Sequence, residues 1–350
     1  MSSSRATPSQ SAVDQLDLET LGAYLAGAIP GFGALSAAEK FAGGQSNPTF
    51  KLTADSGAYV LRRQPPGELL KSAHAVDREY RVIAALRETD VPVPLAHHLC
   101  QDRAVIGSMF YVMSFEEGRI FWTASLPELT APERGALYDD MNRVLAALHS
   151  LEPAAIGLED YGKAGDYFLR QISRWSKQYK ASETEPIAAM DRLIEWLPAN
   201  APPDDGEVRL IHGDYRLDNI MFHADEPRAI AVLDWELSTL GHPYADLAYQ
   251  CMQLRLPPTG ALKGLAGLDR AELGVPSEAD YVAKYCQRRG LSGIPHWGFY
   301  LSFSAFRLAA IAQGVYKRGL DGNASSAKAK EFGHVIPMLA AFAEDLAKER

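Results

Sequence analysis

Residues 210–246 read LIHGDYRLDNIMFHADEPRAIAVLDWELSTLGHPYAD, and their polar groups fall where the apolar rhythm breaks. Val208, Leu210 and Ile211 form a short strand candidate that runs into His212, Gly213 and Asp214. Ile220 and Phe222 alternate on a second strand, Ala224 to Pro227 make a turn, and Ile230 and Val232 alternate on a third. A hairpin brings its open ends together, so Asn219 is expected close to Asp234, with Asp214 only five residues before Asn219. One small region then gathers two carboxylates and an amide oxygen. Such hard oxygen donors suit Mg²⁺, which keeps several waters and takes few protein ligands, and a metal held this way bridges phosphate oxygens as well. Asp214 is left to accept a proton from an attacking hydroxyl. Any one of these residues alone is explained by a turn or a helix cap. The joint pattern H-G-D-x-x-x-x-N followed by L-D-W-E is not.

His212-Gly213-Asp214 with Asn219, then Asp234-Trp235-Glu236, resembles the aminoglycoside phosphotransferase and choline kinase superfamily, small-molecule kinases with a protein-kinase-like fold. Within it, LDWELSTLGHPYADLAY is similar to the branch whose members stand alone in bacteria or are fused to acyl-CoA dehydrogenases in animals. The resemblance runs over roughly residues 35 to 320. It implies an α+β fold in two lobes, a small antiparallel sheet lobe and a larger, mainly helical one. It also implies that Asp214 is the catalytic base and that Asn219 and Asp234 are the metal ligands, in a site that uses ATP and Mg²⁺. Asp246 would brace the catalytic loop through backbone N–H groups. His212 supports the loop, and Glu236 either assists the metal or is simply solvated.

The bulk of the chain agrees with such a fold. At 350 residues it is long enough for two lobes with substantial cores. Hydrophobic content of 47% and charged content of 23% are those of an ordinary soluble globule. The net charge of −9 argues against general binding to nucleic acid or anionic membranes. Cys100, Cys251 and Cys286 are scattered, without C-x-x-C spacing, and read as reduced core residues of a cytoplasmic protein. No apolar run reaches the roughly 18 residues of a membrane span. Residues 1–11, MSSSRATPSQS, read as a disordered tail. Residues 12–115 are expected to form the nucleotide-binding lobe and 116–350 the catalytic and acceptor-binding lobe. No oligomeric state is assigned.

From Ala12 to Ile29 the leucine spacing predicts one amphipathic helix. Strands are expected at Ala37 to Ala42, Pro48 to Thr53 and Ala58 to Arg63. The first two are joined by Gly43, Gly44, Gln45, Ser46 and Asn47, whose small residues let backbone N–H groups turn in on a phosphate. A plain hairpin turn explains that segment too, and it lacks the G-x-G-x-x-G and Walker patterns. The features after it favour phosphate binding. In the kinase arrangement a Lys touching the α- and β-phosphates stands where Arg62 stands here. Arg keeps the charge in a planar fork, with Arg63 as the alternative. Glu79, on a helix expected from His74 to Arg87, is the natural partner of Arg62. Phe110 to Met113 forms a buried strand. After it, Ser114 C=O and Glu116 N–H are the main-chain groups that the resemblance assigns to the adenine edge.

Helices are expected at Arg134 to His149, Asp166 to Lys180, Ile187 to Leu197, Asp246 to Leu254, Tyr281 to Arg289, Trp297 to Arg318 and Ser326 to Lys348. His149 reads as a cap or core residue. Arg170, Arg174 and Lys177 read as a solvated basic face or a platform for an anionic acceptor. Leu256 to Pro276, without clear periodicity, is expected to line the acceptor pocket. Arg307, Gln313 and Tyr316 could face that pocket. The absence of D-F-G, A-P-E and H-R-D excludes a peptide-phosphorylating kinase, and no motif supports acyl-CoA dehydrogenase activity. The expected reaction moves the γ-phosphate of ATP to a hydroxyl of a small molecule. Kinship with the dehydrogenase-fused branch suggests a hydroxyacyl-CoA or hydroxy acid. The wider family suggests aminoglycosides, choline or other amino alcohols, but Leu256 to Pro276 offers only Asp269 and Glu272 to a cation. A nucleotide-binding regulator without catalysis and a hydrolase using the same carboxylates are the readings from other classes.

Overall fold

Asp17 sets the first boundary. Its carboxylate accepts hydrogen bonds from the N–H groups of Glu19 and Thr20 at 3.1 and 3.2 Å, so helix α1 runs Leu18–Ala28 rather than from Ala12. The structure is a computed structural model that describes residues 16–41, 47–65, 75–260, 262–322 and 327–349. The expected start of the first helix, and Gly43, Gly44, Gln45 and Ser46, lie outside the described residues. The chain divides into two compact units, one of Met1–Glu88 with Val93–Glu117 and one of Thr89–Pro92 with Gly118–Arg350.

The first unit holds a five-stranded antiparallel sheet in the order β1-β2-β3-β5-β4. Its strands are β1 (Leu35–Lys40), β2 (Thr49–Ala54), β3 (Gly57–Arg63), β4 (Ala96–Cys100) and β5 (Phe110–Ser114). β1 begins two residues before its expected start and also ends two early. The alternating side chains Phe50 and Leu52 of β2 meet Leu21 and Leu25 of α1 together with Leu61, Phe110 and Val112 in one apolar cluster. Helix α2 (Val76–Leu86) packs Val82, Ile83 and Leu86 inward and brings Glu79 with them, 1% exposed. β4 carries no apolar alternation, because its sequence is AHHLC. Its histidines do the packing instead: the His97 ring lies 5.1 Å from that of Tyr59, and His98 Nε2 is 3.0 Å from the Tyr24 hydroxyl. Burial pushes both histidines below their ordinary pKa.

The second unit is mainly helical. It contains α3 (Ala131–Ser150), α4 (Tyr167–Ser182), α5 (Ala188–Ala199), α6 (Tyr244–Leu254), α7 (Arg270–Leu273), α8 (Glu278–Arg289), α9 (Trp297–Leu320) and α10 (Val335–Ala347). Thr130 and Glu133 start α3 with a capping box, the Glu133 carboxylate accepting from Thr130 N–H at 2.7 Å. α9 is buried along nearly its whole length and is the axis on which α4, α6 and α10 pack. The helix expected over Ser326 to Lys348 is two elements: 3₁₀ turns over Ala327–His334, then α10. The aperiodic stretch after Leu256 contains α7, because Asp269 caps it by accepting from Ala271 and Glu272 N–H at 2.9 and 3.1 Å. Small strands complete the unit. β6 (Arg119–Ile120), β8 (Ile220–Phe222) and β9 (Ala229–Val232) form one sheet, and β7 (Arg209–Ile211) pairs with β10 (Thr239–Gly241). No helix among the described residues is long and apolar enough to cross a membrane.

Candidate active site

β7 ends at Ile211 and delivers His212, Gly213 and Asp214 into a turn that returns through Leu217–Asn219 into β8. The hairpin expected from the sequence is present: Ile220 pairs with Val232, and Leu233 N–H donates to the Asn219 carbonyl at 2.9 Å. Asn219 therefore stands across the ladder from Leu233, next to Asp234. Asn219 Nδ2 donates to the Asp214 carbonyl at 2.9 Å and to its carboxylate at 3.0 Å, which turns the amide oxygen away from Asp214. Asp234 sits in the left-handed region at φ 63°, an uncommon conformation for a residue with a side chain and one most readily taken by Asp or Asn.

Arg216 joins the acidic groups. Its Nε lies 3.3 Å from the Asp214 carboxylate and its Nη2 3.0 Å from that of Asp218. Burial pushes Asp218 above the usual carboxylate range; Arg216 opposes this, while the charges of Asp214 and Asp234 add to the rise. The three carboxylates thus act on one another in a small volume. Burial raises the Tyr249 phenol well above its ordinary range, and the charge of Asp214 adds to the rise. Arg307 of α9 is held between the rings of Trp175 and Tyr249, 5.7 and 5.4 Å from their centroids, and donates to the Gly213 carbonyl at 2.5 Å. It steadies the loop from behind.

The loop's own geometry is set from inside the core. Asp246 takes Gly213 N–H on one oxygen at 2.9 Å and His212 N–H on the other at 2.6 Å. His149, on α3, places Nε2 3.3 Å from the same Asp246 oxygen and Nδ1 2.7 Å from the Tyr285 hydroxyl. Burial pushes the Tyr285 phenol up, with Arg289 opposing, and Arg289 Nη2 meets Glu207 at 2.8 Å. Burial alone would push Asp246 up, yet His149 and the backbone donors hold its carboxyl below the usual range. Burial pushes His149 down, with Asp246 opposing. His212 is fully buried; its Nε2 lies 2.8 Å from the Leu233 carbonyl and its Nδ1 accepts from Asp214 N–H at 3.2 Å. One imidazole therefore ties the strand carrying Asp234 to the backbone carrying Asp214. Gly213 has φ +83°, and a Cβ there would lie 2.5 Å from the Leu237 carbonyl oxygen, so only glycine fits. Glu236 is exposed beside Trp235.

In the first unit Glu79 gathers Arg62, Asn47 and Tyr111 among its partners. Arg62 Nε lies 2.9 Å away, Asn47 Nδ2 donates at 2.9 Å and the Tyr111 hydroxyl at 3.3 Å. The expected Arg62–Glu79 pair is thus formed, and the Asn47 side chain belongs to the same knot. Arg63 is buried, its guanidinium 5.5 Å from the Phe50 ring centroid. Ser114 closes β5 opposite Tyr59, accepts Leu95 N–H at 2.8 Å and bonds the Glu116 carboxylate through its hydroxyl. On α4, Arg170 spends its guanidinium on the carbonyls of Lys163 and Ala164 at 2.6 and 3.2 Å, and Arg174 lies over the Trp175 ring. Gln313 donates to the Ser182 carbonyl at 2.7 Å.

Arg216, Asp218 and Tyr249 carry no signal of their own in the sequence beyond lying inside or one helix away from the H-G-D-x-x-x-x-N pattern. His149 reads as core, and it is core; its bond to Asp246 depends on a contact 97 residues away.

A loop that pairs a carboxylate with an amide beside a second carboxylate, in a chain of one sheet unit and one helical unit, has the pattern of a kinase-like phosphotransferase. The chain belongs to the phosphotransferase enzyme family, whose model matches residues 37–280. It is 47% identical over 309 residues to acyl-CoA dehydrogenase family member 10 of Mus musculus, covering 88% of this chain and 29% of that protein. The chain spans well under half the length of the curated relatives it matches first. A solved structure from Ralstonia eutropha, of a protein provisionally named an aminoglycoside phosphotransferase, is 51% identical with a TM-score of 0.89, covering 95% of this chain and 99% of that one. The fold extends to the spectinomycin phosphotransferase solved with ADP and spectinomycin, at 14% identity and a TM-score of 0.62, covering 93% and 98%.

Proposed function

We propose that the chain transfers the γ-phosphate of ATP to a hydroxyl of a small molecule of the hydroxyacyl class. The observation that carries this reading is the arrangement of Asp214 and Asn219. The amide of Asn219 fixes the Asp214 carboxylate through its nitrogen and turns its own oxygen away from it, and the hairpin register sets Asn219 across from the residue before Asp234. Asp214 takes the proton of the acceptor hydroxyl as that oxygen bonds to the terminal phosphorus, and the bond from that phosphorus to the ADP oxygen breaks. Asn219 and Arg216 hold the carboxylate in place, so the reaction gains from positioning. Asn219 Oδ1 and the Asp234 carboxylate would hold Mg²⁺, an ion that takes few protein ligands and keeps several waters. When bound, that ion neutralises phosphate charge. Arg62, set by Glu79, is the cation assigned to the phosphates on the first unit, with Gly43 to Asn47 as backbone donors and Ser114 and Glu116 on the adenine edge.

Similarity to proteins named as acyl-CoA dehydrogenases supports an acyl-bearing acceptor, since a kinase domain joined to such an enzyme would act on a related compound. An ADP-coupled screen of hydroxyacyl-CoAs, hydroxy acids, amino alcohols and aminoglycosides tests the reading. Asp214→Asn should lower kcat with the true acceptor by roughly 10²–10⁴, and Asp234→Asn should abolish turnover. Normal turnover by either variant would sink the assignment.

A further inference from the structure

Beside the catalytic loop lies a cavity of about 230 Å³. Arg216, Leu217 and Asp218 form one wall, and Arg216 Nε reaches from it to within 3.3 Å of the Asp214 carboxylate, which is not itself part of the lining. Phe121, Leu254 and Leu256 make an apolar surface, and Trp122 stands at the rim with 75% of its surface exposed. Large exposed aromatic surface next to a polar loop marks a contact site. The charged groups lining the cavity are Arg216, Asp218 and Lys263. Arg216 and Asp218 pair with each other at 3.0 Å, which leaves Lys263 to set the sign. Asp269 and Glu272, the carboxylates expected for a cationic acceptor, do not line it; Asp269 is spent on the cap of α7. Among the described residues that line the cavity, the one carboxylate, Asp218, is paired with Arg216.

Gln250, from α6, also lines this cavity and is 2% exposed. Its oxygen accepts the Tyr281 hydroxyl at 2.9 Å. A buried phenol needs an acceptor for its proton, so this bond fixes the amide and leaves the NH₂ on the other side. Nε2 is buried and has no hydrogen-bond partner. Leaving such a buried donor unmade is unfavourable, and an acceptor oxygen in the cavity would offset that cost. We propose, resting on the phosphotransferase reading above, that Gln250 Nε2 donates to the acyl carbonyl oxygen of the acceptor, so that the site selects hydroxyacyl compounds over alcohols and amino alcohols without a carbonyl. The apolar wall takes the chain, Asp214 takes the hydroxyl, and Lys263 favours an anionic end.

Calorimetric titration of the full chain tests this with no nucleotide and no turnover. The probes are methyl 3-hydroxyhexanoate and 1-methoxyhexan-3-ol, which differ only by CH₂ in place of C=O. Wild type should bind the ester about tenfold tighter, the weight of one buried hydrogen bond. Gln250→Leu should bring the two affinities together. Gln250→Glu keeps an oxygen for Tyr281 but removes the donor, and should do the same, which covers a folding failure of the first variant. Trp122→Ala should weaken both probes and keep their ratio. Equal affinities in wild type, a ratio that survives both Gln250 variants, or probe binding untouched by Trp122→Ala would each overturn the proposal. 3-Hydroxyhexanoate and 3-hydroxyhexanoyl-CoA both carry the carbonyl, and their relative affinity identifies the source; both must weaken in Gln250→Leu. A protein that prefers the ester yet transfers phosphate to no acceptor would keep this inference and remove the kinase reading.

Discussion

Asp246→Asn tests whether the catalytic loop is held from within. The native carboxylate serves three donors: Gly213 N–H at 2.9 Å on one oxygen, and His212 N–H at 2.6 Å and His149 Nε2 at 3.3 Å on the other. Asparagine has one oxygen. If it faces His212 and His149, the new NH₂ faces Gly213 N–H, and two buried donors confront each other. Each costs about 1–3 kcal/mol, and relief from burying a charge returns part, leaving a loss of about 2–4 kcal/mol. That is a large share of the roughly 5–15 kcal/mol that hold a domain folded. Urea unfolding reads it: with a slope of about 3 kcal/mol per molar, the midpoint falls by about 1 M. The sign with pH follows from the depressed carboxyl. Its stability is present above the unfolded value near 3.9 and is lost as pH falls through the folded value, so variant and wild type converge in acid. A loss under about 0.5 kcal/mol at pH 7, the size of an ordinary surface exchange, would refute the brace.

Gly213→Ala meets both a left-handed backbone and the Leu237 carbonyl at 2.5 Å; it should cost more than about 2 kcal/mol and abolish transfer, checked by thermal melting and the coupled assay. Glu79→Ala removes a buried carboxylate bonded to Arg62, Asn47 and Tyr111, and should cost about 3–5 kcal/mol and weaken nucleotide binding measured by titration. His149 has a folded pKa below its ordinary value, so below about pH 6.5 the unfolded chain binds the extra proton and stability falls with pH toward the folded value. His97, His98 and His242 carry the same sign, so His149→Gln should remove one share of the slope and leave the rest.

The hairpin bearing Asn219 and Asp234 was legible because alternation and a turn composition specify it locally, and the Arg62–Glu79 pair because strand and helix follow one another closely. Asp246 as a brace followed from family resemblance. β4 was not legible, since histidine rings take the place of aliphatic side chains there. α7 escaped because one capping aspartate, not periodicity, makes it. The last helix broke into two elements at a boundary no periodic pattern marks. Gln250 reads as an ordinary polar residue of α6. Only its Tyr281 bond, made across 31 residues, shows which way its amide points.

The left-handed backbone at Asp234 has a consequence for which substitutions the site could ever accept. Glutamate would preserve the charge but not the conformation, because longer side chains are penalised there while Asp, Asn and Gly are tolerated. Conformation thus favours Asp, Asn and Gly, and the charge proposed for the ion selects Asp among them. Drift through conservative exchange is closed off. A homologue with asparagine at this place would be a well-made shell with its chemistry switched off.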